Sequence, residues 1–138
     1  MADSILFFDD SLDIENQLFL RLLRQAVKGT AVHVVQEKTI PHAEQKLKSL
    51  PLVVAILDVM AAMPGAPERE AEAGIEVLRR CRAGHYGTRN AGIPIFMRTA
   101  RGEAHIRQLA FAHGCTNFFS AGVQDEQLIQ AIMAICAP

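Results

Sequence analysis

The chain has 138 residues, half of them hydrophobic and 21% charged, with a formal net charge of −1. That is enough apolar material for one core and too much for a disordered chain, and the charge balance offers nucleic acid or an acidic membrane surface nothing to hold. The longest apolar stretch, "PLVVAIL", is far too short to span a bilayer.

"SILFF" (4–8) reads as a buried strand. The next segment, "SLDIENQLFLRLLRQAVKG", repeats Leu18, Leu22, Leu23 and Val27 at helical spacing, with Ser11 placed to cap it and Gly29 to end it. "AVHVV" (31–35) predicts a second strand and "PHAEQKLKSL" (41–50) a short helix opened by Pro41. "LVVAIL" (52–57) is apolar throughout, the pattern of a strand covered on both faces. After a long connection come a helix at "GIEVLRRCRAG" (74–84) and a strand at "IPIFM" (93–97), where Pro94 is tolerable only near the start. "EAHIRQLAFAHG" (103–114), "TNFF" (116–119) and "DEQLIQAIMAI" (125–135) predict a helix, a fifth strand and a closing helix.

Five strands, each followed by a helix, imply an α/β fold over 1–138 as a single domain: a parallel sheet with helices on both faces. Cys81, Cys115 and Cys136 show no C-x-x-C spacing, which predicts free thiols in a reducing, cytoplasmic compartment. The five histidines show no metal-ligand spacing, so zinc is not expected.

Ligands of such a sheet gather beyond the carboxyl ends of its strands. The first strand runs into Asp9 and Asp10, the third into Asp58 and the fourth into Thr99. Neighbouring strands would bring three carboxylates and a hydroxyl to one edge, where the acids repel unless a cation sits among them. Mg²⁺ takes oxygen ligands and suits such a cluster.

With these residues placed, the chain resembles a receiver domain of two-component response regulators over nearly its whole length. The resemblance rests on "ILFFDD", on "VVAILDVM", on "MPG" and "GIEVLRR" after it, on "IPIFMRTAR", and on "AFAHGCTNFF". It implies a flavodoxin-like doubly wound sheet of order 2-1-3-4-5, (βα)5. Asp58 would accept a phosphoryl group from a histidine kinase or phosphotransfer protein. Asp9 and Asp10 would hold Mg²⁺, with Asp58 and the backbone carbonyl of Met60 completing the protein ligands. Thr99 would be the switch hydroxyl and Phe118 the switch aromatic. The output would be protein contacts through the fourth helix, fifth strand and fifth helix (103–135), a face that could also serve a homodimer. No nucleic acid or membrane partner, and no enzymatic turnover beyond self-phosphorylation and self-dephosphorylation, is expected.

Two features depart from that pattern. The family ends its fifth strand with lysine and proline, whereas Ala121 and Gly122 stand here, and all four lysines lie in the first 48 residues. Arg101, two residues past Thr99, is a candidate substitute contact for phosphate. The connection after Asp58 is also long: "APEREAEA" would extend the following helix or form a lid. The lost lysine supports an alternative, a pseudo-receiver acting as a phosphorylation-independent interaction module. A phosphohydrolase would want D-x-D where these acids are adjacent, and a nucleotide cradle would want glycines where four acids stand.

Overall fold

The computed structural model describes residues 3–11, 13–59, 61–62, 69–70, 72–100 and 104–136, with backbone alone at 61–62 and 69–70. Its strands are β1 (Ser4–Phe8), β2 (His33–Glu37), β3 (Leu52–Asp58), β4 (Ala61–Ala62), β5 (Arg69–Glu70), β6 (Ile95–Thr99) and β7 (Asn117–Ser120). The helices are α1 (Ile14–Val27), α2 (Ile40–Ser49), α3 (Ala73–Arg82), α4 (Ala104–Ala112) and α5 (Asp125–Cys136). The main sheet is parallel with order β2-β1-β3-β6-β7, which is 2-1-3-4-5 when its five strands are counted in chain order.

Strand alternation divides the apolar residues between two cores. Leu6, Phe8, Ala55, Leu57, Ile95, Met97 and Phe118 face one way and pack with residues of α2, α3 and α4. Ile5, Phe7, Val54, Ile56, Phe96 and Phe119 face the other way and pack with Phe19, Leu23, Leu128 and Ile132 of α1 and α5. β3 supplies both cores, which is why its sequence is apolar without alternation. The two aromatic contacts of the second core, Phe7 with Phe19 and Phe96 with Phe119, are both edge-to-face.

Several expectations need correction. Asp13, not Ser11, caps α1, its carboxylate accepting the Asn16 N–H at 2.8 Å. The helix turns Phe19, Leu20, Leu23 and Val27 inward and leaves Leu18 and Leu22 exposed, so the leucine spacing marked the helix but not its buried stripe. β2 begins two residues later than expected, as does β6, which starts after Pro94 because proline has no N–H for the ladder. The connection after Asp58, in which residues 60, 63–68 and 71 lie outside the described ones, lends Ala73 to the start of α3. It carries a short antiparallel pair in which Ala61 faces Glu70 and Ala62 faces Arg69. The three cysteines are free, with Cys81 and Cys115 buried.

A buried polar tie fixes the start of β3. The Asn90 side chain accepts the Leu52 N–H at 3.3 Å and donates to the carbonyls of Leu47 and Leu50 at 2.8 Å each. It thus satisfies the end of α2 and the start of β3 together.

Candidate metal and phosphoacceptor site

The register explains why the acids meet. Phe8 is level with Leu57, so Asp9, one residue past β1, comes beside Asp58, the last residue of β3. Asp58 is in turn level with Arg98 on β6, and Thr99 follows at that strand's end. Asp9, Asp10 and Asp58 each offer a carboxylate oxygen, and these atoms lie within 4.8 Å of one another. Asp9 and Asp58 are buried, Asp10 partly so. Among the described residues this cluster has the composition and spacing to hold a metal ion. Its donors are all hard oxygens with no nitrogen or sulfur among them, which fits a hard divalent cation such as Mg²⁺.

Local structure holds each acid in place. The Asp9 backbone N–H reaches the Glu37 carbonyl at 3.2 Å, continuing the β1–β2 ladder by one residue. The Asp9 side chain then accepts the Ser11 N–H at 2.9 Å, turning the chain toward α1. Behind Asp58 stands Gly74, in the first turn of α3. A Cβ there would lie 1.8 Å from the Asp58 carbonyl oxygen and 2.8 Å from its carbon. The Gly74 N–H meanwhile donates to the Val59 carbonyl at 2.9 Å. Only glycine permits that approach, and it seats α3 against the end of β3.

Thr99 is buried at the end of β6, and its carbonyl accepts the Ala121 N–H at 2.8 Å. Phe118 is buried among the residues of the α2–α4 side, with the Arg107 guanidinium 5.7 Å from its ring centre. Asp9, Asp10, Asp58 and Thr99 therefore share one edge of the sheet, while Phe118 lies one strand further on. Met60 and Arg101 lie outside the described residues.

Sequence reasoning missed Arg98. It is 1% exposed, the largest of the fully buried side chains among the described residues. Its parity along β6 is that of Phe96, so it faces α1 and α5, and its guanidinium lies 4.4 Å from the Phe19 ring centre and 5.8 Å from that of Phe7. It donates to both carboxylate oxygens of Asp125, from Nε at 2.9 Å and Nη2 at 3.0 Å, and from Nη1 to the Asn16 side-chain oxygen. Nη1 also lies 3.7 Å from Asp9 Oδ2. The available signal was an arginine inside an apolar strand, one residue before Thr99. Its partners are 27 and 82 positions away and carry no local mark.

A groove with a volume of about 620 Å³ lies elsewhere, between α1 and α5, with walls that include Leu18, Leu22 and Ile129. Among the described residues no helix is long and apolar enough to cross a membrane.

No protein-family model and no curated protein matches the sequence. Solved structures do resemble the fold. A two-component response regulator of the LuxR family from Aurantimonas sp. superposes with a TM-score of 0.71 at 22% identity, over 99% of this chain and 86% of that one. A signal receiver domain of a two-component histidine kinase from Clostridium thermocellum gives 0.73 at 14% identity, over all of both chains. A CheY-like response regulator receiver domain protein from Methanospirillum hungatei gives 0.68 at 17%, over 97% and 93% of the two chains.

Proposed function

Because the chain has the fold of response-regulator receiver domains, we propose that it is a phosphoacceptor in which Asp58 receives a phosphoryl group from a histidine kinase or phosphotransfer protein. The observation that carries this reading is the meeting of three carboxylates from adjacent strand ends within 4.8 Å. A helix cap needs one acid and a loop acid needs no company, so neither role accounts for three converging in a half-buried place.

In the proposed reaction an Asp58 oxygen attacks phosphorus in line. The P–N bond to the donor's imidazole breaks, and its electron pair stays on that nitrogen, which then takes up a proton. Asp58 is held for this by the Gly74 contact behind it and by pairing with β1 and β6 on either side. Asp9, Asp10 and Asp58, with the Met60 carbonyl, would hold Mg²⁺. When bound, the ion supplies charge neutralisation for the phosphoryl oxygens. Thr99, at the end of the neighbouring strand, would donate its hydroxyl to a phosphoryl oxygen, and Phe118 would follow the movement of that strand end. Arg101 is retained as a phosphate contact. Output would pass through the face of α4, β7 and α5, which could also pair two copies.

A second reading has its own observation. At Ala121, where the resemblance calls for lysine, the side chain is a methyl group. A pseudo-receiver would keep the surface for phosphorylation-independent protein contacts and lose the chemistry.

The test is incubation with Mg²⁺ and acetyl phosphate, followed by intact mass. One added phosphoryl group on the wild type and none on Asp58→Ala is the expected result. No label on the wild type at high donor, together with no Mg²⁺ affinity, overturns the reading in favour of the pseudo-receiver.

A further inference from the structure

We propose that Arg98 is an internal counter-cation of the carboxylate cluster: it offsets the crowding of Asp9, Asp10 and Asp58 from beneath and thereby sets how tightly they hold a divalent cation.

Three observations carry this. Asp9, one residue past β1, comes beside Asp58 of β3, which is level with Arg98 of β6, and the three share the parity of Phe7, Ile56 and Phe96, which face α1 and α5. The guanidinium reaches across to Asp9 at 3.7 Å with 1% of its side chain exposed, so water does little to screen the interaction. A buried arginine is also costly unless it is fully engaged. Here Asp125 grips it bidentately, Asn16 takes a third N–H, and the rings of Phe19 and Phe7 lie against its plane. This is a built position reaching from the end of β6 to the first turns of α1 and α5. A hydrophobic residue of the parity of Phe96 would have served packing alone.

The charge arithmetic gives opposite signs for its two sides. Arg98 competes with a metal ion for Asp9, so removing its charge should tighten cation binding. Asp125 draws the guanidinium toward α5, so removing the Asp125 charge leaves more of it for Asp9 and should weaken cation binding. A merely structural node would lower affinity on both sides by loosening the fold. The affinity part rests on the cation site proposed above, while the offset of Asp9 does not.

Two measurements test it. In EDTA, a double-mutant cycle of Asp9→Asn with Arg98→Met reads the pair without metal. The expected result is at least a tenfold non-additivity in the folding constant, with Asp9→Asn unfavourable in the wild type and favourable once Arg98 is gone. By calorimetry, Mg²⁺ is expected to bind about tenfold more tightly to Arg98→Met and severalfold more weakly to Asp125→Asn. Where Arg98→Met does not fold, Arg98→Gln, which keeps a hydrogen bond to Asp125 without the charge, enters both measurements. Coupling below twofold, or both substitutions moving Mg²⁺ affinity the same way, overturns the proposal. Coupling in EDTA with no Mg²⁺ binding by the wild type supports the Arg98–Asp9 offset and removes the cation site instead.

Discussion

Gly74→Ala tests the seating of β3 against α3. Taken as a helix position alone, alanine should stabilise the protein by about 1 kcal/mol, since glycine is the poorer helix former. The contact reverses that sign. The new Cβ would lie 1.8 Å from the Asp58 carbonyl oxygen, against roughly 3.5 Å for nonbonded atoms at rest, a shortfall of about 1.7 Å. The obstacle is backbone, which has no rotamer to swing away, so α3 or the end of β3 must move. Overpacking of this kind costs about 3 kcal/mol, at the upper end of the usual range. Subtracting the helix gain leaves a net loss of about 2 kcal/mol, a fall in Tm of about 8 °C for a chain of this size. Because the displaced atoms belong to Asp58 itself, Mg²⁺ affinity should fall with stability, by about tenfold or about 1.4 kcal/mol. Differential scanning calorimetry and Mg²⁺ titration read both, with Gly92→Ala as control, since a Cβ at Gly92 meets nothing within 4 Å. A Gly74→Ala protein that melts at or above the wild type and binds Mg²⁺ equally well refutes the reasoning.

Two further expectations concern the rest of the fold. Asn90→Ala strands the Leu52 N–H and the carbonyls of Leu47 and Leu50 in a buried place, and should cost about 3 kcal/mol in urea denaturation with the m-value unchanged. Glu76 is pulled down to about 2, chiefly by its hydrogen bond from Arg79 and further by Arg80, against desolvation. A carboxyl lowered on folding contributes stability that is complete above its ordinary value of 4.5 and is lost as pH falls from there toward about 2. The pairs are solvent-screened, so the effect should stay below about 1 kcal/mol. The acid limb of Glu76→Gln should be flatter by that amount, and identical limbs would contradict the assignment.

The order of elements was legible in the sequence because it depends on local signals, and the convergence of the acids followed once the strands were taken as neighbours. Apolar runs marked the strands, glycines the turns, and Asp9, Asp10, Asp58 and Thr99 each stood at the end of an apolar run. Boundaries were less legible where polar residues belong to strands: His33, Gln36 and Glu37 lie in β2, the edge strand, where burial is incomplete and the apolar pattern weak. Leu18 and Leu22 were misleading for a related reason. They keep helical spacing but line the groove beside α5 rather than the core, which is built instead on Phe19, Leu20 and Leu23. Spacing alone does not tell which side of a helix is covered.

Charge balance at the site was the least legible property, since it depends on pairs remote in sequence. Along the chain, the absence of a lysine at 121 argues for a weakened site, and the candidate substitute is Arg101, two residues past Thr99. Reading across the sheet gives a different candidate. β7 pairs with β6 so that Thr99 is level with Ser120 and Arg98 with Phe119, and Arg98 is therefore on the strand adjacent to Ala121. Strand parity turns it under Asp9 instead of out toward solvent, and Asp125, 27 positions on, arrives with α5 to hold it there. A positive charge approaching from beneath differs in kind from one above. It can relieve repulsion among the acids permanently, yet its guanidinium is engaged by Asp125 and Asn16 and is not at liberty to follow a phosphoryl group. On this geometry the cluster should tolerate the metal-free state better than three bare carboxylates would. Any response to phosphorylation would then have to come from Thr99 and the strand end rather than from a cation shared with the phosphoryl oxygens.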